Sequence, residues 1–197
     1  MKTFVATKNL GKLDELKAIF RDSPLELDTY PLYQDVEEGD ESYAQNAALK
    51  ARALAEQLRQ GGIRAAVLAD DSGLEVFALD GRPGVLSARY AGKEATWPER
   101  RARLLEELRD VPDDKRGAKF CCAIMLVTDD GREIPGYGEV EGTITREERG
   151  RFGFGFDPIF NYEHANKSFA ELAEEEKNRV SHRRRAADIL LENLKVG

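Results

Sequence analysis

The sequence predicts a mixed α/β fold in which a long central sheet is flanked by helices, and three observations carry that prediction. Residues 65–69, Ala-Ala-Val-Leu-Ala, form a continuous apolar run, the pattern of a strand buried on both faces. Residues 41–60 repeat their apolar side chains at helical spacing, with Tyr43, Ala47, Ala51, Leu54, Ala55 and Leu58 on one stripe. Residues 120–127 are the longest apolar run, and the Asp130-Gly131 pair has the chemistry of a tight turn that returns the chain through Ile134, Tyr137, Val140 and Ile144.

The remaining elements follow in order. Residues 2–6 read as a short strand, and Asn9-Leu10-Gly11-Lys12 leads into a helix with Leu13, Leu16 and Phe20 on one face. A strand at residues 25–29 precedes the acidic loop 35–40 and the long helix, which Gly61-Gly62 ends. The apolar strand that follows is expected to stop at Asp70-Asp71. Beyond a Gly/Pro-rich stretch at 80–84, Thr96 and Glu99 have capping-box spacing for a helix carrying Trp97, Leu104, Leu105 and Leu108. Ser168 and Glu171 repeat that spacing, and a closing helix to about residue 194 presents Val180, Ala187, Leu190, Leu191 and Leu194. No internal repeat or low-complexity tract interrupts the chain, so a single domain over 1–197 is expected.

With 197 residues, 41% of them hydrophobic, the chain is long enough to bury a core of that size. Its formal charge of −7 argues against a chain that coats nucleic acid or anionic lipid, so neither is expected as a partner and any polyanion must bind a local basic site. No apolar run approaches the roughly 20 residues of a spanning helix, and residues 1–5 enter a strand rather than a leader, which makes the cytoplasm the expected compartment. Cys121 and Cys122 are adjacent within an apolar run, where buried reduced thiols are expected rather than a disulfide or zinc site.

Five segments could carry chemistry. Thr7-Lys8-Asn9-Leu10-Gly11-Lys12 lies where a strand hands over to a helix, so early helical N–H groups, the helix dipole and two lysines favour a phosphate there; an Asn-capped helix with solvated lysines is the competing reading. Asp70-Asp71-Ser72-Gly73 places two carboxylates after a buried strand, with adjacent side chains on opposite faces. One of them could hold a hard cation such as magnesium through oxygen, with Glu37 or Glu38 as a second carboxylate. Asn46 and Lys50 are four apart on the long helix and share a face. In residues 152–158 three phenylalanines alternate with glycines, which let backbone approach a ligand while rings offer a stacking face. Lys177, His182 and Arg183 form a cationic group near the start of the last helix, suited to phosphate or keto oxygens.

Read together, Thr7-Lys8-Asn9 with Lys12, Asp70-Asp71-Ser72-Gly73-Leu74, Ser87-Ala88-Arg89-Tyr90, Phe154-Gly155-Phe156-Asp157-Pro158, and Lys177 with Ser181-His182-Arg183 occur in an order that resembles the inosine triphosphatase family over essentially the whole chain. Lys8 is one variation, standing where relatives often carry a small residue. The resemblance implies an elongated central sheet in two lobes with the active site in the cleft between them. It also implies a cytoplasmic homodimer that uses Mg2+ to split ITP, dITP or XTP into the monophosphate and pyrophosphate. Under it, Lys12, Lys50 and the amides of residues 7–11 hold the triphosphate, and Asp71 with Glu38 binds the metal. Asp71 is also the position marked as proton acceptor, and base and ligand roles stay open. Phe154 and Phe156 are the stacking candidates; Ser72, Gly155, Asp157, His182 and Arg183 surround the base, and Lys177 serves base or phosphate. Two other readings are a Maf-type nucleotide pyrophosphatase, whose arginine-containing N-terminal motif is absent here, and a nucleotide sensor without catalysis, which retention of Asp71, Lys12 and Lys50 disfavours.

Overall fold

The computed structural model describes residues 1–196. Its first half contains β1 (Lys2–Val5), α1 (Leu10–Ile19), β2 (Glu26–Thr29), α2 (Tyr43–Gln60) and β3 (Ala66–Val76). There follow α3 (Trp97–Glu107), β4 (Gly117–Val127), β5 (Glu133–Ile144), β6 (Phe160–Tyr162), β7 (Lys167–Ser168), α4 (Glu174–Val180) and α5 (His182–Val196). The strands form one seven-stranded sheet in the order β2-β1-β3-β4-β5-β6-β7. β1 is parallel to β2 and β3, whereas β6 is antiparallel to β5 and β7, so the sheet is mixed.

The chain divides into two compact units. The first comprises Met1–Asp71, Cys122–Gly138 and the C-terminal segment from Ser181. Here β3 shows why its run is apolar without alternation: Ala66 and Leu68 join α1 and α5 in one core with Leu13, Leu16 and Leu190, while Val67 and Ala69 join α2 in a second with Ala51, Leu54 and Leu58. Each helix starts on a side-chain cap. Asn9 accepts from the Lys12 amide at 3.1 Å, and Ser42 from the Gln45 amide at 3.2 Å. α5 lies directly on β5 because Gly136 and Gly138 have no side chain to hold it off. A Cβ at Gly138 would sit 2.4 Å from the Ala186 nitrogen and 2.5 Å from the His182 oxygen.

The second unit comprises Ser72–Cys121 and Glu139–Val180. Its core gathers Leu74, Val76, Leu104, Leu108, Phe120, Phe160 and Phe169, and the Phe120 and Phe169 rings stack with centroids 5.8 Å apart. Buried Arg116 donates to the carbonyls of Leu108, Ile144 and Thr145, which ties the end of α3 to the end of β5.

Two expectations are corrected. β3 does not stop at Asp70-Asp71 but continues to Val76, because Leu74 and Val76 are fully buried and the strand stays hydrogen-bonded to its neighbours through the Ser-Gly pair. The closing helix is broken. The Ser168–Glu171 capping box forms as spaced, but on a single 3-10 turn, Phe169–Glu171, after which Leu172 is extended. α4 and α5 are separate helices meeting at Ser181, whose hydroxyl accepts from the Arg184 amide at 3.2 Å as a new cap.

The close approach of α5 to β5 generates a test. Gly138→Ala should lower stability by about 1–3 kcal/mol, since backbone atoms of Ala186 and His182 and the Cβ of Arg185 lie in the way of the new methyl and none of them is the far end of a flexible side chain. Ile189→Ala, at an exposed position of α5, should change it by less than about 1 kcal/mol. Chemical denaturation of both variants checks this, and a Gly138→Ala protein as stable as wild type would contradict the packing.

Candidate active site

Adjacent carboxylates in the middle of a buried strand must face opposite sides of the sheet. Asp70 follows the parity of Ala66 and Leu68 and looks toward α1 and α5. Its Oδ2 lies 3.2 Å from Lys12 Nζ and accepts from Arg183 Nε at 3.1 Å. The other end of the Arg183 guanidinium is held by Glu15, so Lys12, Glu15, Asp70 and Arg183 form one charge network. Burial alone would raise the Asp70 pKa, but Lys12, Arg183 and Lys50 hold it well below the ordinary carboxylate range. Burial likewise opposes charge on Arg183, and Glu15 and Asp70 more than offset it, raising its pKa. The Cys122 thiol is pushed up by burial and then by the Asp70 charge.

Asp71 follows Val67 and Ala69 and looks toward α2. Asn46 Nδ2 donates to its Oδ2 at 2.9 Å and also to the Gly39 carbonyl at 3.1 Å, while Asn46 Oδ1 accepts from the Gly39 amide at 2.9 Å. One amide side chain thereby staples the acidic loop to β3. The staple carries Glu38 to Lys50, whose Nζ is 2.6 Å from Glu38 Oε1 and 3.6 Å from Asp71 Oδ1. Burial raises the Asp71 pKa, and the lowering effects of Lys50 and Lys12 do not cancel it. Lys50 is desolvated as well, yet Asp71, Asp70 and Glu38 leave its pKa raised.

Among the described residues no group of three or more His, Cys, Asp or Glu is placed to hold a metal. The Asp71 and Glu38 carboxylates converge on a single ammonium, however, and two carboxylate sources are what a magnesium ion takes from protein when substrate phosphates and water supply the rest of its shell. The donor set fits that ion. Glu37 is exposed.

At the start of α1, Thr7 Oγ1 accepts from the Asn9 amide at 3.1 Å, and the Asn9 side chain takes the Lys12 amide. Leu10 and Gly11 occupy the first turn, whose N–H groups precede any intrahelical acceptor, and Leu10 is exposed. Lys8 is exposed and Lys12 half-buried. Lys12 thus stands one turn into the helix that presents those amides.

The aromatic segment belongs to the second unit and is a closed loop. Gly153 and Gly155 have φ of +71° and +65°, and a Cβ on Gly153 would lie 2.2 Å from Asp157 Oδ2. Asp157 turns back to accept from the Phe154 amide at 2.8 Å and from Lys177 Nζ at 2.6 Å. Lys177 Nζ also lies 4.8 Å from the Phe154 ring centroid. Phe154, Asp157 and Lys177 therefore form one cluster, with Ser72 half-buried at the start of this unit.

Three expected assignments differ from the geometry. Phe156 is 2% exposed, with Tyr90 and Trp97 packed edge-on against it, so its ring is committed to the core rather than offered for stacking. Arg183, expected at the edge of a base, is 2% exposed with its guanidinium engaged by Glu15 and Asp70. The backbone that the glycines of 152–158 were expected to bring to a ligand instead closes on the loop at Phe154 and Asp157, whose amides donate to the Asp157 carboxylate and the Phe154 carbonyl. His182 is buried at the start of α5. Glu15 was missed, although helical spacing puts it among buried Leu13, Leu16 and Ile19, where a charge signals a partner.

Residues 3–193 match the Ham1 family. The chain is 46% identical over 182 residues to the dITP/XTP pyrophosphatase of Halalkalibacterium halodurans, covering 91% of each. Among solved structures, a HAM1 protein from Coxiella burnetii superposes with a TM-score of 0.86 at 38% identity over all of both chains. A nucleoside-triphosphatase described as a dITP/XTP pyrophosphatase from Mycobacterium abscessus does so with a TM-score of 0.73 at 44% identity, covering 97% of this chain and 99% of that one.

Because the two β3 carboxylates have opposite pKa directions, neutralising them should have unequal effects. Asp70→Asn leaves Arg183 and Lys12 short of a buried counter-charge and should cost about 3–5 kcal/mol. Asp71→Asn removes a charge that burial already disfavours and should cost less than about 1 kcal/mol. Urea denaturation of both at neutral pH checks the ranking, and equal losses would contradict the opposed environments.

Proposed function

Since this chain belongs to the Ham1 family, we propose that it hydrolyses deaminated purine nucleoside triphosphates, namely ITP, dITP and XTP, to the monophosphate and pyrophosphate. The observation that carries this reading is Asp71, a buried carboxylate of raised pKa that faces Glu38 and Lys50. Water added across the α–β phosphate linkage must lose a proton as the bond to pyrophosphate breaks, and a carboxylate such as Asp71 can take it. Asn46 orients the Asp71 oxygen that it donates to. Lys12, Lys50 and the first-turn amides of α1 hold the phosphates and neutralise charge on them. Asp71 and Glu38 would hold a magnesium ion, whose charge would add to that neutralisation.

The base is assigned to Phe154, Asp157 and Lys177. Phe154 supplies a ring face, and the ammonium lying over it is a donor with no acceptor capacity. A 6-keto oxygen complements that donor, whereas the adenine amino group sets donor against donor and leaves a buried group unpaired, at roughly 1–3 kcal/mol. Arg183 bears on the phosphate-binding residues instead, through Asp70, which it holds beside Lys12. A homodimer in the cytoplasm completes the proposal. The motif resemblance supports the dimer, and two buried cysteines outside any disulfide support a reducing compartment.

A pyrophosphate-release panel tests the reading. ITP, dITP and XTP should be turned over best, GTP less well, and ATP roughly 10- to 100-fold worse than ITP. Equal kcat/KM for ATP and ITP would sink the substrate assignment. Separately, Asp71→Asn should lose a factor of roughly 10² to 10⁴ in turnover while remaining folded. A folded variant keeping more than about a tenth of wild-type rate at saturating magnesium would remove Asp71 from that role.

A further inference from the structure

The aromatic segment is pinned to its own unit at its ends by backbone. Arg149 donates to the Pro158 carbonyl at 2.8 Å, and the amides of Arg151 and Phe152 both donate to the Ala170 carbonyl. Its middle is held differently. Arg101, 9% exposed on α3, donates through Nη1 to the Gly155 carbonyl at 2.8 Å, while its Nε and Nη2 grip both oxygens of Glu148 at 2.8 and 3.1 Å. Four residues earlier on the same face, Trp97 lies under Gly155, within 3.7 Å of where a Cβ would be, and meets the Phe156 ring edge-on at 5.4 Å. Trp97 is fixed in turn: Arg100 covers its ring at 5.0 Å, and the Thr96–Glu99 capping box with Pro98 locks the start of α3. A planar fork held by two carboxylate oxygens has little freedom left, so its third contact transmits the position of α3 to the loop.

We propose that Arg101 is a positioning residue for base recognition, which sets where the segment carrying Phe154 and Asp157 stands by holding the Gly155 carbonyl against Trp97. The proposal rests on the assignment of that segment to the base. It predicts that loosening Arg101 damages nucleotide selection more than chemistry, and because Trp97 is the one tryptophan in the chain, its emission reports the loop directly.

The experiment compares wild type, Arg101→Met, Arg101→Lys and Glu148→Gln. It uses steady-state kinetics with ITP and ATP, and titration of Trp97 emission with ITP in EDTA, where turnover is suppressed. In Arg101→Met the KM for ITP should rise roughly 10-fold with kcat changed by less than about threefold, and the ITP-to-ATP ratio of kcat/KM should fall. The Trp97 response to ITP should shrink in parallel. Arg101→Lys, which keeps the charge but not the fork, should resemble Arg101→Met, and Glu148→Gln should shift both readouts the same way by less. If circular dichroism shows Arg101→Met unfolded, Glu148→Gln decides, because Glu148 is largely exposed and its loss leaves the core intact. Variants that fold and keep the wild-type KM and ITP-to-ATP ratio overturn the proposal alone. Equal wild-type kcat/KM for ITP and ATP overturns the base assignment, and the proposal with it.

Discussion

Two carboxylates side by side in the interior of a strand cannot share a hydrogen-bonding partner, and much of the first unit follows from meeting that demand twice. Asp70 and Asp71 are both nearly inaccessible, and burying an ionised carboxylate without compensation costs more than a domain can spare. Strand geometry sends the two to opposite faces, so α1 with α5 must bring cations to one and α2 must bring a donor and a cation to the other. The same geometry separates their chemistry. On the α1 and α5 face, Lys12 and Arg183 leave Asp70 firmly ionised; on the α2 face, burial leaves Asp71 with a raised pKa. A firmly ionised carboxylate and one of raised pKa are thus obtained from the same residue type on opposite faces of one strand.

The acidic loop shows how one short side chain converts sequence distance into a site. Residues around Glu38 carry little apolar surface and have no regular structure of their own. Asn46 closes a pair of hydrogen bonds with the Gly39 backbone and spends its remaining donor on Asp71. Loop position and carboxylate orientation are therefore coupled through a single amide, and Glu38 arrives at Lys50 as a consequence.

In the second unit rigidity comes from glycine as much as from packing. Positive φ at Gly150, Gly153 and Gly155 lets the chain double back tightly enough for Asp157 to cap its own loop and for Gly150 to lie on the Ala170 backbone. Phe156 and Trp97 fill the space behind, which leaves Phe154 half-buried with the buried Lys177 of α4 over its ring.

The sequence by itself determined the fold class, most helices and strands, and the family, because each rests on a local pattern: periodicity, a cap, a turn pair or an ordered motif. The Thr96–Glu99 capping box, the Gly131 turn and the opposed faces of Asp70 and Asp71 are all of this kind. What only the tertiary structure decided depends on partners distant in the chain. β3 runs past its aspartates because Leu74 and Val76 find a core with Leu104, Phe120, Phe160 and Phe169 from later elements, which overrides local turn chemistry. Arg183 turns inward because Glu15, 168 positions earlier, waits on α1, and Phe156 is taken from the surface by Trp97 and Tyr90. Composition can say that a charge or a ring is present, but whether it meets solvent, ligand or a buried counterpart is set by which elements the folded chain brings against it.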